Sequence, residues 1–153
     1  MSKQIFLVSD LHFGHSKMYD LPFRKQDGTP VRPFKSAEEA DEEMVTRWNS
    51  AVSPRDKVYV LGDIAIPMSG IQNFSRLNGD KVLIAGNHDW PFEKKFSQYF
   101  RSVRAYWKLD NFALSHVPIH PCSLRSFDGN IHGHLHSSRV TLPDGSIDPR
   151  YYC

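Results

Sequence analysis

Four short apolar runs, at 5–8, 58–61, 82–85 and 112–114, are each followed within two positions by residues with oxygen or imidazole side chains. Runs of this length suit β-strands better than helices, and strands that end on polar groups deliver them to one edge of a sheet. The segments after the runs read Ser9-Asp10-Leu11-His12, Gly62-Asp63, Gly86-Asn87-His88-Asp89 and Ser115-His116. A fifth, Gly133-His134-Leu135-His136, follows Asn130-Ile131-His132. They contain five of the eight histidines of the chain, with Asp10, Asp63 and Asn87. Oxygen and imidazole donors without thiols suit borderline divalent cations.

Taken singly the segments differ in what they say. Alone, Asp10-Leu11-His12 reads more readily as a surface pair than as a ligand pair, and Gly62-Asp63 as an ordinary turn in which Gly supplies positive φ. Gly86-Asn87-His88-Asp89 is more specific, because four turn-prone or ionisable residues sit directly at a strand end. His134 and His136 share a face if the backbone stays extended. That pair serves one ion, or two adjacent ions if a turn intervenes. Order and setting together point to a site for two metal ions.

On these segments the chain resembles the calcineurin-like metallophosphoesterases, from about Ile5 to His136. Within that superfamily it is most similar to small, uncapped prokaryotic and viral members. The resemblance implies that Asp10, His12 and His136 hold a first ion, that Asn87, His116 and His134 hold a second, and that Asp63 bridges them. It implies a four-layered αββα sandwich with two mixed β-sheets, in a single domain spanning 1–153. Two divalent ions are implied as cofactors, Mn2+ being favoured with Ni2+, Zn2+ or Fe as alternatives. Gly62-Asp63 continues as Ile64-Ala65-Ile66, unlike the protein phosphatase signature, and Leu135 stands where a small hydroxyl residue is common.

Composition agrees with an enzyme core. With 153 residues, 40% hydrophobic and 24% charged, the chain can bury roughly two thirds of its unfolded surface. A net charge of +2 is too mild for a nucleic-acid coat, though not against a local basic patch. Two cysteines do not make a disulfide framework, so a cytoplasmic location is expected. No segment is apolar for long enough to span a bilayer, so no membrane partner is expected.

Strands are expected at about 4–9, 57–62, 81–86, 102–108, 111–116 and 129–132. A helix should start at Ser36 in a capping box with Glu39, burying Ala37, Ala40, Met44 and Trp48 and leaving Glu38, Asp41, Glu42 and Glu43 in solvent. A second is expected at about 69–78, from Ser69 to a stop at Gly79. A third should follow Pro91, burying Phe92, Phe96 and Phe100. Asp110-Asn111 reads as a tight hairpin turn.

The chemistry follows from charge. Two divalent cations outweigh Asp10 and Asp63, so the centre attracts phosphate and can aim water at phosphorus. No Ser or Cys nucleophile is needed. Asn87 can donate its carbonyl oxygen without adding negative charge. His88 is more useful off the metal, stabilising phosphoryl oxygens or protonating the leaving group. Asp89 either holds the tautomer of His88 or starts the next helix. His15 either lines the site mouth or lies on the surface, whereas His120 and His132 read as structural. The basic loop at about 13–35 offers Arg24 and Arg32 as phosphate clamps, Arg32 above all, unless it is a solvated loop tied down by Phe23 and Phe34. The substrate expected is a small phosphodiester or nucleotide, with nucleic acid a further possibility. The alternative is a catalytically silent metal-binding scaffold of the same fold.

Overall fold

The computed structural model describes residues 2–20, 27–30, 32–89 and 93–153. Arg24 and Phe23, like Pro91 and Phe92, lie outside the described residues.

Two four-stranded sheets make the framework of this α/β protein. The first runs β1 (Ile5–Val8), β2 (Lys57–Val60), β3 (Asp80–Ile84) and β4 (Ser102–Arg104), in that order and parallel throughout. The expectation of two mixed sheets is therefore corrected for this one. Long connections separate its strands, and crossovers of that length return a strand parallel to its predecessor. The second sheet holds β5 (Trp107–Leu109), β6 (Phe112–Ser115), β7 (Gly129–His132) and β8 (Tyr151–Tyr152). It is mixed, because β5 and β6 form the hairpin expected at Asp110-Asn111, whereas β6–β7 and β7–β8 are parallel.

The single strand expected at 102–108 is in fact two. The chain leaves the first sheet after Arg104 and enters the second at Trp107. Local hydrophobicity does not register a change of partner. In the central strands alternate residues face opposite layers: Val58, Val60 and Leu83 pack toward the helices, while Tyr59, Val82 and Ile84 meet Leu114, Trp107 and Ile131 of the second sheet. Burial on both faces explains why these strands read as unbroken apolar runs.

One of the expected helices comes out tighter than an α-helix. One turn, α1 (Lys17–Asp20), follows the first site segment, and α2 (Ala37–Ala51) starts at the expected Ser36 cap. There the Ser36 hydroxyl accepts the Glu39 amide, while the Glu39 carboxylate reaches one residue further back, to the Lys35 amide at 2.8 Å. The second helix is a 3₁₀ helix, Met68–Arg76, begun by Pro67 without a side-chain cap from Ser69. Of the third, the described residues give α3 (Glu93–Phe96), which buries Phe96, with Phe100 beside it. Beyond the second sheet the described residues form a short 3₁₀ turn, Pro121–Leu124, and loops that cover Ala113 and Tyr151. Pro118 and Pro121 oppose an α-helix in that connection.

Candidate metal centre

The site segments meet at the carboxyl ends of the strands. Backbone bonds lace the first two together: Asp10 and His12 donate their amides to Gly62 and Asp63 carbonyls at 3.1 and 3.0 Å, and Phe13 donates to Ile64. Glycine makes the approach possible. A Cβ on Gly62 would stand 2.5 Å from His116 Nδ1, and one on Gly86 would run into the Asp63 backbone and carboxylate. A Cβ on Gly133 would likewise meet Ser9 and the Asp10 carboxylate.

Five of the expected ligands have left-handed backbones, with φ of 55° at Asp10, 50° at His12, 52° at Asp63, 66° at His134 and 53° at His136. For a residue with a Cβ that conformation costs about 1 kcal/mol or more. It also answers the spacing question for His134 and His136. The chain turns at both, so the two rings diverge: His136 stacks on His12 with centroids 5.7 Å apart, and His134 meets His116 edge-on at 5.2 Å.

Two ligand groups result. Asp10, His12 and His136 present one donor atom each within 4.8 Å of one another, as do Asp63, His116 and His134. Either group could hold a metal ion. His12 gives the clearest fit: its ring is buried and neither nitrogen has a hydrogen-bond partner. Its Nε2 lies 3.8 Å from Asp10 Oδ1 and 3.9 Å from Asp63 Oδ2. That is too long for a hydrogen bond, but donors each ~2 Å from a shared cation stand ~3–4 Å apart. Asp63 Oδ2 is also 3.3 Å from His116 Nε2, so this oxygen faces both groups.

His116 is oriented for coordination. Its Nδ1 faces the Leu61 carbonyl at 2.7 Å, which can only accept, so the proton sits there and Nε2 is turned to Asp63 and to Asn87 Oδ1, the latter at 3.0 Å. Burial lowers the affinity of this ring for a second proton, but the Asp63 carboxylate and the Leu61 carbonyl outweigh it and the pKa is raised. Burial pushes Asp10 upward, yet the His12 imidazole, the Ser9 hydroxyl and the His134 amide overcome it and hold the carboxyl at about 2. Asp63 is likewise held low against its burial, by His116 and by the His88 amide on its Oδ1 at 3.0 Å.

Three expectations change. Asp89 does not support the His88 ring. Its buried carboxylate accepts the amides of Gly86, Asp63 and Ile64 at 2.7, 3.0 and 3.1 Å, fixing the loops that carry Asp63 and Asn87. Arg32 does not point outward as a clamp. Its Nη2 donates to the carbonyls of Asp10 and Leu11, both at 2.8 Å, bracing the left-handed turn between the first two ligands. Asp41, expected in solvent, turns inward to accept the Gly14 amide and the Asn73 side chain. These braces escape a sequence reading because Arg32, Asp41 and Asp89 serve backbone groups that have no signature of their own.

The remaining residues fall as the sequence suggests or resolve an open choice. His88 is half exposed, with Nε2 4.0 Å from Asp63 Oδ2 and its ring 6.0 Å from that of His12. His15 sits at the mouth, its centroid 5.7 Å from that of His12. His132 is buried and faces away, against Tyr151, and His120 caps the Cys122 amide. A cleft of about 890 Å³ opens over His12, His88 and His136. Among the described residues no helix is long and apolar enough to cross a membrane.

Fold and site together define an α/β protein whose strand ends gather Asp and His side chains able to hold metal. The chain is 33% identical over 143 residues to the uncharacterized protein MJ1445 of Methanocaldococcus jannaschii, covering 90% of this chain and 72% of that one, and it belongs to the same family. It is 31% identical over 107 residues to the Gene 66 protein of Mycobacterium phage L5, covering 67% of this chain and under half, 47%, of the phage protein. The crystal structure of the protein of unknown function AQ665 from Aquifex aeolicus superposes with a TM-score of 0.64 over 93% of this chain and 82% of that one, at 22% identity, a likeness of fold. No family model matches the chain.

Proposed function

We propose that the chain is a binuclear, metal-dependent phosphoesterase with the metallophosphoesterase sandwich, cleaving a small phosphodiester or nucleotide-like substrate in the cytoplasm. The observation that carries this reading is Asp63 Oδ2, which faces both ligand groups at 3.3 and 3.9 Å. Asp10, His12 and His136 would hold one ion, and Asn87, His116 and His134 the other, with Asp63 common to both. Two divalent ions so held supply a low-pKa water and positive charge for the phosphoryl oxygens. The protein supplies the rest. Nitrogen and oxygen donors alone favour Mn2+ or a similar borderline ion. The left-handed turns and their braces aim the donors before any ligand arrives, and His88, beside the ligands and half exposed, is free to give a proton to the departing oxygen.

The test is hydrolysis of bis-nitrophenyl phosphate, cyclic nucleotides and short oligonucleotides, after chelation and after adding Mn2+. Turnover should vanish with chelator and return with metal. Undiminished turnover in metal-free protein would overturn the reading. Two bound ions with no turnover on any ester would favour the silent scaffold. His88→Ala should lose about a hundredfold in kcat on alkoxide leaving groups and much less on nitrophenolate, with both metals retained.

A further inference from the structure

The cleft over the candidate metal centre is much larger than a phosphoryl group. Its volume of about 890 Å³ falls within the range of pockets that enclose whole organic ligands, roughly 300–1,000 Å³. Its walls are of two kinds. His12, His88 and His136 make the metal-facing floor, whereas Met18, Ile66 and Pro67 line it with apolar groups. Met18 comes from α1 and Ile66-Pro67 from the segment after the Asp63 loop, so two separate parts of the chain contribute. The second is tied to the site, since Ile66 donates its amide to the Phe13 carbonyl at 3.0 Å. Lys17 adds a cation to the lining.

We infer that Met18, Ile66 and Pro67 form a subsite for a flat, apolar ring carried by the substrate next to its phosphoryl group. The inference rests on the phosphoesterase reading and deepens it: the substrate is an aryl- or base-bearing phosphoester, and not a simple alkyl one. Because these side chains line the same cleft as His12, His88 and His136, an anion seated on the candidate centre would carry its organic substituent beside them. A polarizable thioether with an aliphatic and a prolyl surface gains contact from a ring and little from a methyl group.

Phosphonates test this without turnover. Calorimetry on Mn2+-loaded protein should show phenylphosphonate binding roughly tenfold tighter than methylphosphonate, the gain expected from covering one face of a ring. Met18→Gln and Ile66→Ala should each remove most of that preference, with metal content unchanged by elemental analysis. Equal binding of the two phosphonates by the unmodified protein would overturn the subsite while leaving the metal centre intact. A preference that survives both substitutions would overturn its assignment to this wall. Failure of both phosphonates to bind would overturn the phosphoesterase reading, and the subsite with it.

Discussion

The two sheets deliver candidate ligands to the same strand-end site by different means. Loops from the first sheet are locked: Asp10 and His12 donate their amides to the Gly62 and Asp63 carbonyls, Asp89 gathers three amides, and Arg32 holds two carbonyls. The second sheet gives buried His116, fixed by the Leu61 carbonyl, but its last two ligands are exposed. His134 is tied by its amide to the Asp10 carboxylate at 3.0 Å, and His136 faces Asp10 at 3.6 Å. One half of the centre is built by the fold. The rings of His134 and His136 stay open to solvent on backbone turns that the fold fixes.

The contrast can be broken in several ways. Asp63→Asn should have the largest effect, because its Oδ2 serves both halves: elemental analysis should find both metals depleted, and activity should fall by a hundredfold or more. Two ions retained at a normal rate would remove Asp63 from its bridging place. Asp89→Ala leaves three buried amides without acceptors, so urea unfolding of metal-free protein should show a loss of about 3 kcal/mol. No stability change would mean that the first-sheet loops are not locked as described.

Arg32→Ala should weaken metal binding and kcat by ~10-fold, the usual effect of removing a supporting contact, with little change in KM. A raised KM with full metal content would restore Arg32 to a clamp. His136→Ala, which removes a donor atom itself, should weaken one ion by at least as much, with the other kept and stability unchanged.

Acidity separates the halves again in metal-free protein. Asp10, lowered from 3.8 to about 2, contributes stability that is complete above its ordinary value and lost as pH falls toward 2. His116, raised above 6.5, contributes below that value and loses its contribution as pH rises through the folded pKa. The chelated protein should therefore weaken at both ends, and His116→Gln should flatten the alkaline side. Metal uptake near neutral pH should release a proton, and affinity should fall as pH is lowered.

Much of this could be read from residue order. The Ser36 cap, the hairpin at Asp110-Asn111, five of the strands and the inward-facing His132 follow from local patterns. The split at Arg104–Trp107 does not, because a strand carries no mark of which sheet it will join. The tight helix after Pro67 and the late strand Tyr151–Tyr152, only two residues long, are set by what they pack against. His88 and Asp89 are neighbours in sequence, yet one faces the cleft and the other is buried beneath it.

By itself the sequence determined which side chains are available and that they lie at strand ends, because apolar periodicity and turn chemistry are local properties. Only the tertiary structure decided how they divide: His134 from His136 by two left-handed turns, Arg32 and Asp89 to backbone groups far along the chain, and Asp63 to a point facing both groups. The physical reason is distance. Left-handed backbones at ligands cost energy that nothing nearby in the chain offsets, so they persist only where remote carbonyls, amides and glycine clearances hold them.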